Sequence, residues 1–344
     1  MNTNAIVSLV DNHTALDYVV MIQSLRNNNP QLYDTVDKHM FTFGSLCDEN
    51  RSVIQSLFPT IQETVISPSS DKISYSGNRE WGENPSTVYQ PHYRYEIFNL
   101  SDYDNLVYLD TDLLIQGNVE KLFTTPAGKI RASKKWPQPT LEQDFHPRYT
   151  IEMEARITQK TLDDSLGSFN GGVLSFGQGV STLDTKSQLL KLQKTKTTPG
   201  NQQILNTYFE DRVDFIPQTY NFSTEFYSNK IFKIRPILDD QHIIHFVGPF
   251  KPSHTLKSNN KKMESMSLHL VDPQSSLFRK IEKNAISNSR AIVKLGFGDY
   301  QQDCAGEEGC FELWLRWFKV LENTGIFIRP RKDTIRSTRE VQWL

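Results

Sequence analysis

The sequence predicts an α/β fold: a single Rossmann-like, mostly parallel sheet with helices on both faces, followed by a C-terminal extension. Three observations carry that expectation. Apolar strand runs alternate with segments of helical period, the chain opens as strand, loop and helix, and one strand run ends in a pair of carboxylates. The last feature is what the ligand-bearing edge of an open α/β sheet looks like in sequence.

The elements follow in order. Residues 5–10, Ala-Ile-Val-Ser-Leu-Val, read as a buried strand, and Asp11, Asn12 and His13 form a polar corner. A helix is predicted from Thr14 to Asn28, with Leu16, Val19, Val20, Ile22 and Leu25 on its apolar face and Thr14 and Asp17 at the spacing of a capping-box variant. A second cycle predicts a strand over 39–43, a helix over 45–57 and a strand over 63–66. Residues 67–87, rich in Ser, Gly, Asn and Pro, read as a loop. A helix over 88–99 then leads to a strand over 105–109. The apolar run 169–176 reads as another strand, with a charged, Pro-containing stretch at 136–167 before it. These two stretches are the expected place for ligand specificity, because loops on a rigid sheet carry recognition. Helices over 183–194 and 202–210 precede a strand over 243–247. Beyond Lys257 the composition turns to Ser, Asn and Lys, which divides the chain into a domain of residues 1–257 and an extension of residues 258–344. That extension holds an aromatic helix, 311–318, and a basic tail with Arg329, Arg331, Lys332, Arg336 and Arg339. Trp314, Trp317 and Phe318 read either as packing for this helix or as a weak peripheral membrane face next to the tail.

The 38 Lys and Arg against 40 Asp and Glu give a net charge of −2, which argues against a nucleic-acid partner. No apolar run approaches the ~18 residues of a membrane span, and the start lacks a basic, then apolar, leader, so a cytoplasmic address is expected. Cys47, Cys304 and Cys310 lack zinc-type spacing and read as unbridged thiols, with a Cys304–Cys310 redox pair as the alternative.

The chemistry concentrates at Asp110-Thr111-Asp112. A strand ending there delivers two hard oxygen donors to the sheet edge, which suits Mg²⁺ or Mn²⁺ and, through it, a diphosphate. Asp102-Tyr103-Asp104 has the same pattern but precedes the strand and falls in the opposite loop. His242 and His245 lie on opposite faces of their strand, so the two cannot serve one ion. Of these, His245 is the better third ligand, with Gly248 and Lys251 close behind it for phosphate oxygens. A satisfied strand histidine and a solvated lysine are the plainer alternative.

Four segments occur in order: Asp110-Thr-Asp112; Phe169-Asn170-Gly-Gly-Val-Leu; Asn201-Gln202-Gln-Ile-Leu-Asn206; and His245-Phe-Val-Gly248-Pro-Phe-Lys251-Pro. The series resembles glycosyltransferase family 8, the group of glycogenin and bacterial lipopolysaccharide galactosyltransferases, over residues 5–252. The resemblance implies a GT-A fold, a UDP-glucose or UDP-galactose donor, Mn²⁺ with Mg²⁺ as substitute, a glycan or glycoprotein acceptor, and transfer with retention. By correspondence, Asp110, Asp112 and His245 are metal ligands. Leu9, Asp11 and Asn12 hold uracil and ribose, Arg94 and Thr111 reach the donor, and Gly248 and Lys251 bind the diphosphate. Asn170, Gln202 and Arg94 form the catalytic set. The departures are Asn201 where the family has Asp, Ser253 where it has Trp, and Ala15 where glycogenin has its acceptor tyrosine. Asn201 keeps open a second reading, a catalytically weak sugar-nucleotide-binding regulator or scaffold. An iron oxygenase using Asp239, His242 and His245 is a third, which strand alternation disfavours.

Overall fold

β1 (Asn4–Val10) opens the chain in a computed structural model that describes residues 3–43, 46–66, 91–135, 151–153, 168–195, 201–224, 232–234, 238–247, 252–255, 266–270 and 307–330. After it come α1 (Ala15–Asn28), α2 (Pro30–Thr35), β2 (Asp37–Phe43), α3 (Asp48–Leu57) and β3 (Ile61–Ile66). A 3₁₀ segment, Pro91–Asn99, leads to β4 (Asn105–Leu109), β5 (Leu113–Ile115), β6 (Ile130–Lys134) and β7 (Ile151–Met153). Then follow β8 (Phe169–Gly177), α4 (Leu183–Thr195), α5 (Asn201–Tyr208), β9 (Val213–Ile216), β10 (Phe222–Ser223) and β11 (Phe232–Ile234). The last elements are β12 (Ile243–His245), α6 (Pro252–Thr255), β13 (Met266–Leu270), α7 (Glu307–Glu322) and β14 (Ile326–Pro330).

Seven strands form the main sheet in the order β3-β2-β1-β4-β8-β6-β9. All run parallel except β8, which is antiparallel to both β4 and β6. The expected α/β, mostly parallel sheet is therefore present. Strand order reverses between β1 and β4, and at such a switch point the loops leaving two neighbouring strands diverge and open a crevice. Asp11 follows one of these strands and Asp110 follows the other.

Helices cover both faces. Ile6 and Val10 of β1 pack with Leu16, Val19 and Val20 of α1, whereas Ala5, Val7 and Leu9 face a second cluster with Tyr95, Phe98, Leu189 and Ile204. Leu313, Trp317, Phe318 and Leu321 of α7 belong to the first cluster, so the aromatic helix is core packing at those positions. Among the described residues no helix is long and apolar enough to cross a membrane.

Two local expectations change. Residues 91–99 wind as a 3₁₀ segment, buried on several sides (Tyr93, Arg94, Tyr95, Ile97 and Phe98) rather than along one α-helical stripe. Thr14 makes no side-chain cap. Asp11 takes that role, its Oδ1 accepting the backbone N–H groups of His13 and Thr14 at 2.9 Å each and the Thr14 hydroxyl at 2.8 Å. Asp17, the other half of the expected box, accepts the Ser253 hydroxyl at 2.8 Å instead.

Candidate metal and donor site

The site grows from the end of β4. Strand alternation puts Tyr108 and Asp110 on one side of the chain, and the Tyr108 hydroxyl donates to Asp110 Oδ1 at 2.5 Å. Arg94 Nη2 donates to the same oxygen at 2.8 Å, and its Nη1 donates to the Gly171 carbonyl at 3.1 Å. Its guanidinium lies over the Tyr108 ring, 4.4 Å from the centroid. Arg94 is buried, so its charge is set against Asp110 where water screens little. With Oδ1 holding two donors, Oδ2 is the oxygen that stands 3.8 Å from His245 Nε2.

A small sheet brings His245 there. β5 starts directly after Asp112 and pairs antiparallel with β12, setting His245 opposite Leu113. Phe246 N–H closes the corner on the Asp112 carbonyl at 2.9 Å. Asp112 Oδ1 then lies 3.4 Å from His245 Nε2, and the ligand atoms of Asp110, Asp112 and His245 all fall within 4.8 Å of one another. On the far side of the ring, His245 Nδ1 is 2.8 Å from Asn221 Oδ1.

β8 supplies the other wall because it enters at the edge where β4 leaves. Gly172 admits the imidazole: a Cβ there would sit 2.1 Å from His245 Cε1 and 3.0 Å from Asp110 Oδ2. α5 grips the same strand through side chains one turn apart. Asn206 accepts Phe169 N–H at 2.7 Å and donates to Phe169 O at 3.0 Å, while Gln202 Oε1 accepts Gly171 N–H at 3.0 Å.

A family model described as glycosyl transferase family 8 matches residues 5–256, a stretch that runs from β1 past His245. The chain belongs to glycosyl transferase family 8. Among similar proteins, Galactinol synthase 5 of Arabidopsis thaliana is 30% identical over 138 residues, covering 36% of this chain and 39% of that protein. Lipopolysaccharide glucosyltransferase WaaO of Escherichia coli (strain K12) is 28% identical over 189 residues, covering 49% and 51%. The matched stretch thus spans two fifths to one half of these relatives' lengths. A solved structure of galactosyltransferase LgtC, in complex with donor and acceptor sugar analogs, aligns at a TM-score of 0.49 and 20% identity, over 73% of this chain and 89% of that one.

Of the residues expected to serve this family-8 site, Asp110, Asp112, His245, Arg94, Asn170 and Gln202 come together, with Thr111 buried between the two carboxylates. Leu9, Asp11 and Asn12 lie at the end of β1, the neighbouring strand at the switch point. Asn12 Oδ1 is engaged by Cys47 N–H and Asn50 Nδ2, both at 2.9 Å, and so ties this loop to the start of α3. Gly248 and Lys251 lie outside the described residues, as do residues 67–87. His242 stacks on Tyr220 with ring centroids 4.4 Å apart and is no part of the Asp110–Asp112–His245 group, which removes the oxygenase reading. Sequence reasoning gave no role to Tyr108, to Asn206 beyond its place in the third motif, or to Asn221. Tyr108 had a signal, its place two residues before Asp110 on a strand. Asn221 had none.

Two carboxylate oxygens and an imidazole nitrogen converging beside a glycine that leaves room for the ring form a donor set that fits a divalent cation.

Proposed function

We propose that this chain is a retaining hexosyltransferase that moves glucose or galactose from a UDP-sugar to a glycan or glycoprotein acceptor. The observation that carries the reading is the convergence of Asp110, Asp112 and His245 within 4.8 Å at the switch-point edge of the sheet. These residues would hold Mn²⁺, with Mg²⁺ as substitute, whose charge would stabilise the departing diphosphate. Arg94 and Lys251 add positive charge on the same group, and Gly248 lets backbone amides approach it. Leu9, Asn12 and Thr111 complete the donor pocket. Asp11 Oδ2, which no described residue engages, accepts the uracil N3–H. The Gly171 N–H orients Gln202 Oε1 and leaves that oxygen a second lone pair to face the anomeric carbon. Neither Gln202 nor Asn201 is a competent base. The acceptor's proton therefore passes to the departing phosphate oxygen, on the same face as the new C1–O bond, and the configuration is retained.

The test is a UDP-sugar panel with mass detection of UDP release. UDP-glucose or UDP-galactose should turn over, EDTA should stop it, Mn²⁺ should outperform Ca²⁺, and Asp112→Asn should lose turnover with the fold intact. Full activity in EDTA or a β-linked product from an α-linked donor overturns the reading. Tight binding of UDP with Mn²⁺ and no turnover on a broad acceptor panel selects the regulator or scaffold, which Asn201 favours.

A further inference from the structure

Asn221 is almost wholly buried beside His245, and no motif marks it. We infer that Asn221, backed by Asn170, is a positioning residue that sets the tautomer of His245 and aims the Nε2 lone pair at the space between Asp110 and Asp112. The inference rests on reading those three side chains as a cation site and adds two residues behind them.

Every hydrogen-bond direction follows from one group whose role is fixed. The Gly172 backbone N–H can only donate, and it meets Asn170 Oδ1 at 2.8 Å. That oxygen also lies 3.1 Å from the Asn221 amide, so Asn221 must present Nδ2 there. Its remaining atom, Oδ1, stands 2.8 Å from His245 Nδ1, and an amide oxygen only accepts. Nδ1 therefore carries the proton. In the neutral ring this leaves Nε2 with its lone pair, on the atom 3.4 Å from Asp112 Oδ1 and 3.8 Å from Asp110 Oδ2. The other tautomer would point an N–H at the carboxylates and leave no imidazole donor atom for a cation. A ligand histidine whose second nitrogen donates to a fixed acceptor is both oriented and made more basic.

The same chain sets what Asn170 can show a ligand. Its Oδ1 is held by two donors, and the remaining polar end of the amide is Nδ2. Asn170 therefore has only a donor, Nδ2, left to offer.

The experiment uses full-length, metal-free protein with isotope-labelled histidine, long-range proton–nitrogen correlation to read the tautomer, and titration with Mn²⁺ alone followed by electron paramagnetic resonance. Wild type should show a protonated Nδ1 and a bare Nε2 on His245, assigned against His245→Gln. Asn221→Leu, of similar volume but without an acceptor, should populate the Nε2–H form and raise the Mn²⁺ Kd roughly 10- to 100-fold. Asn221→Asp keeps an acceptor at Nδ1 but loses the donor to Asn170 Oδ1, so it should restore the Nδ1–H form with only part of the affinity, which guards against a folding defect in the leucine variant. An Nε2–H imidazole in wild type, or wild-type Kd in a folded Asn221→Leu, overturns the inference. The two readings fail separately. Unchanged affinity in Asn221→Leu leaves the transferase reading untouched, whereas normal tautomer and Mn²⁺ results without UDP release bring down the transferase reading alone.

Discussion

A methyl group on Gly172 would have to displace His245 or Asp110, since its carbon would lie 2.1 Å from the imidazole Cε1. Gly172→Ala should therefore lower Mn²⁺ affinity and turnover together, at an overpacking cost of about 1–3 kcal/mol, with both read by titration and urea unfolding. Gln202 makes a different prediction. If its oxygen acts mainly in the transition state, Gln202→Ala should drop kcat by roughly 10²-fold with a smaller change in donor KM, and steady-state kinetics over a donor series checks it. A third residue acts on stability. The Tyr103 hydroxyl donates to Asp37 Oδ2 at 2.8 Å and so must accept from His39 Nε2, also at 2.8 Å. Burial holds the His39 pKa below its usual value. The unfolded chain then takes up this proton first, near pH 6.5, so the contribution is present above about 6.5 and is lost as pH falls toward the lower folded value. His39→Gln should flatten that slope in urea unfolding between about pH 7.5 and about pH 5.5. At this scale the Asp110–Asp112–His245 group was legible because chemistry and position coincide: acids at the end of a strand, a histidine ahead of a glycine. Asn221 was not, because a distance of 24 residues to His245 carries no period or motif.

α5 and β8 meet through a side chain that imitates a strand partner. Asn206 pairs with both the N–H and the carbonyl of Phe169 and also donates to Gln202 O at 2.8 Å, so the helix is locked to the first residues of β8 where Asn170 and Gly172 begin. Asn206→Ala would strand that peptide pair at a cost of about 1–3 kcal/mol. The expected result is a lower urea midpoint and a lower kcat together, because Gln202 and Asn170 lose their common anchor. A drop in stability with kcat unchanged would make the contact purely structural. Strands and long helices were legible from alternation and period. The 3₁₀ winding of Pro91–Asn99 was not, since Tyr95, Ile97 and Phe98 are all buried and leave no single apolar stripe to read. Nor was the reversal of β8, because an apolar run carries no sign of its direction.

Composition divides the chain at residue 257, yet packing joins the two parts. Trp317 is fully buried in the cluster that also holds Leu16, Val19 and Val20 of α1, and Arg316 ties α7 to Gln116 at 3.0 Å and to Asp239 at 2.7 Å. Trp317→Ala should cost about 3–5 kcal/mol, and truncation at residue 257 should leave a chain that does not unfold cooperatively in calorimetry. Removal of residues 331–344 is the contrasting case. It should lower binding to anionic vesicles in a salt-sensitive way, each basic residue contributing at most about 1 kcal/mol, with kcat on a free acceptor preserved. One further feature bears on how such a molecule diversifies. Lys135 N–H donates to Ser168 O at 2.8 Å and Lys134 pairs with Phe169, so the stretch 136–167 leaves and re-enters the sheet at a closed neck, with β7 inside it paired antiparallel to β11. Lengthening a segment whose ends are already pinned is thermodynamically light, about 0.6 kcal/mol per doubling. Insertions outside β7 can thus lengthen that stretch while Asn170, two residues beyond the neck, keeps its station. Change in that stretch and constancy at Asn170 are separated by one backbone hydrogen bond.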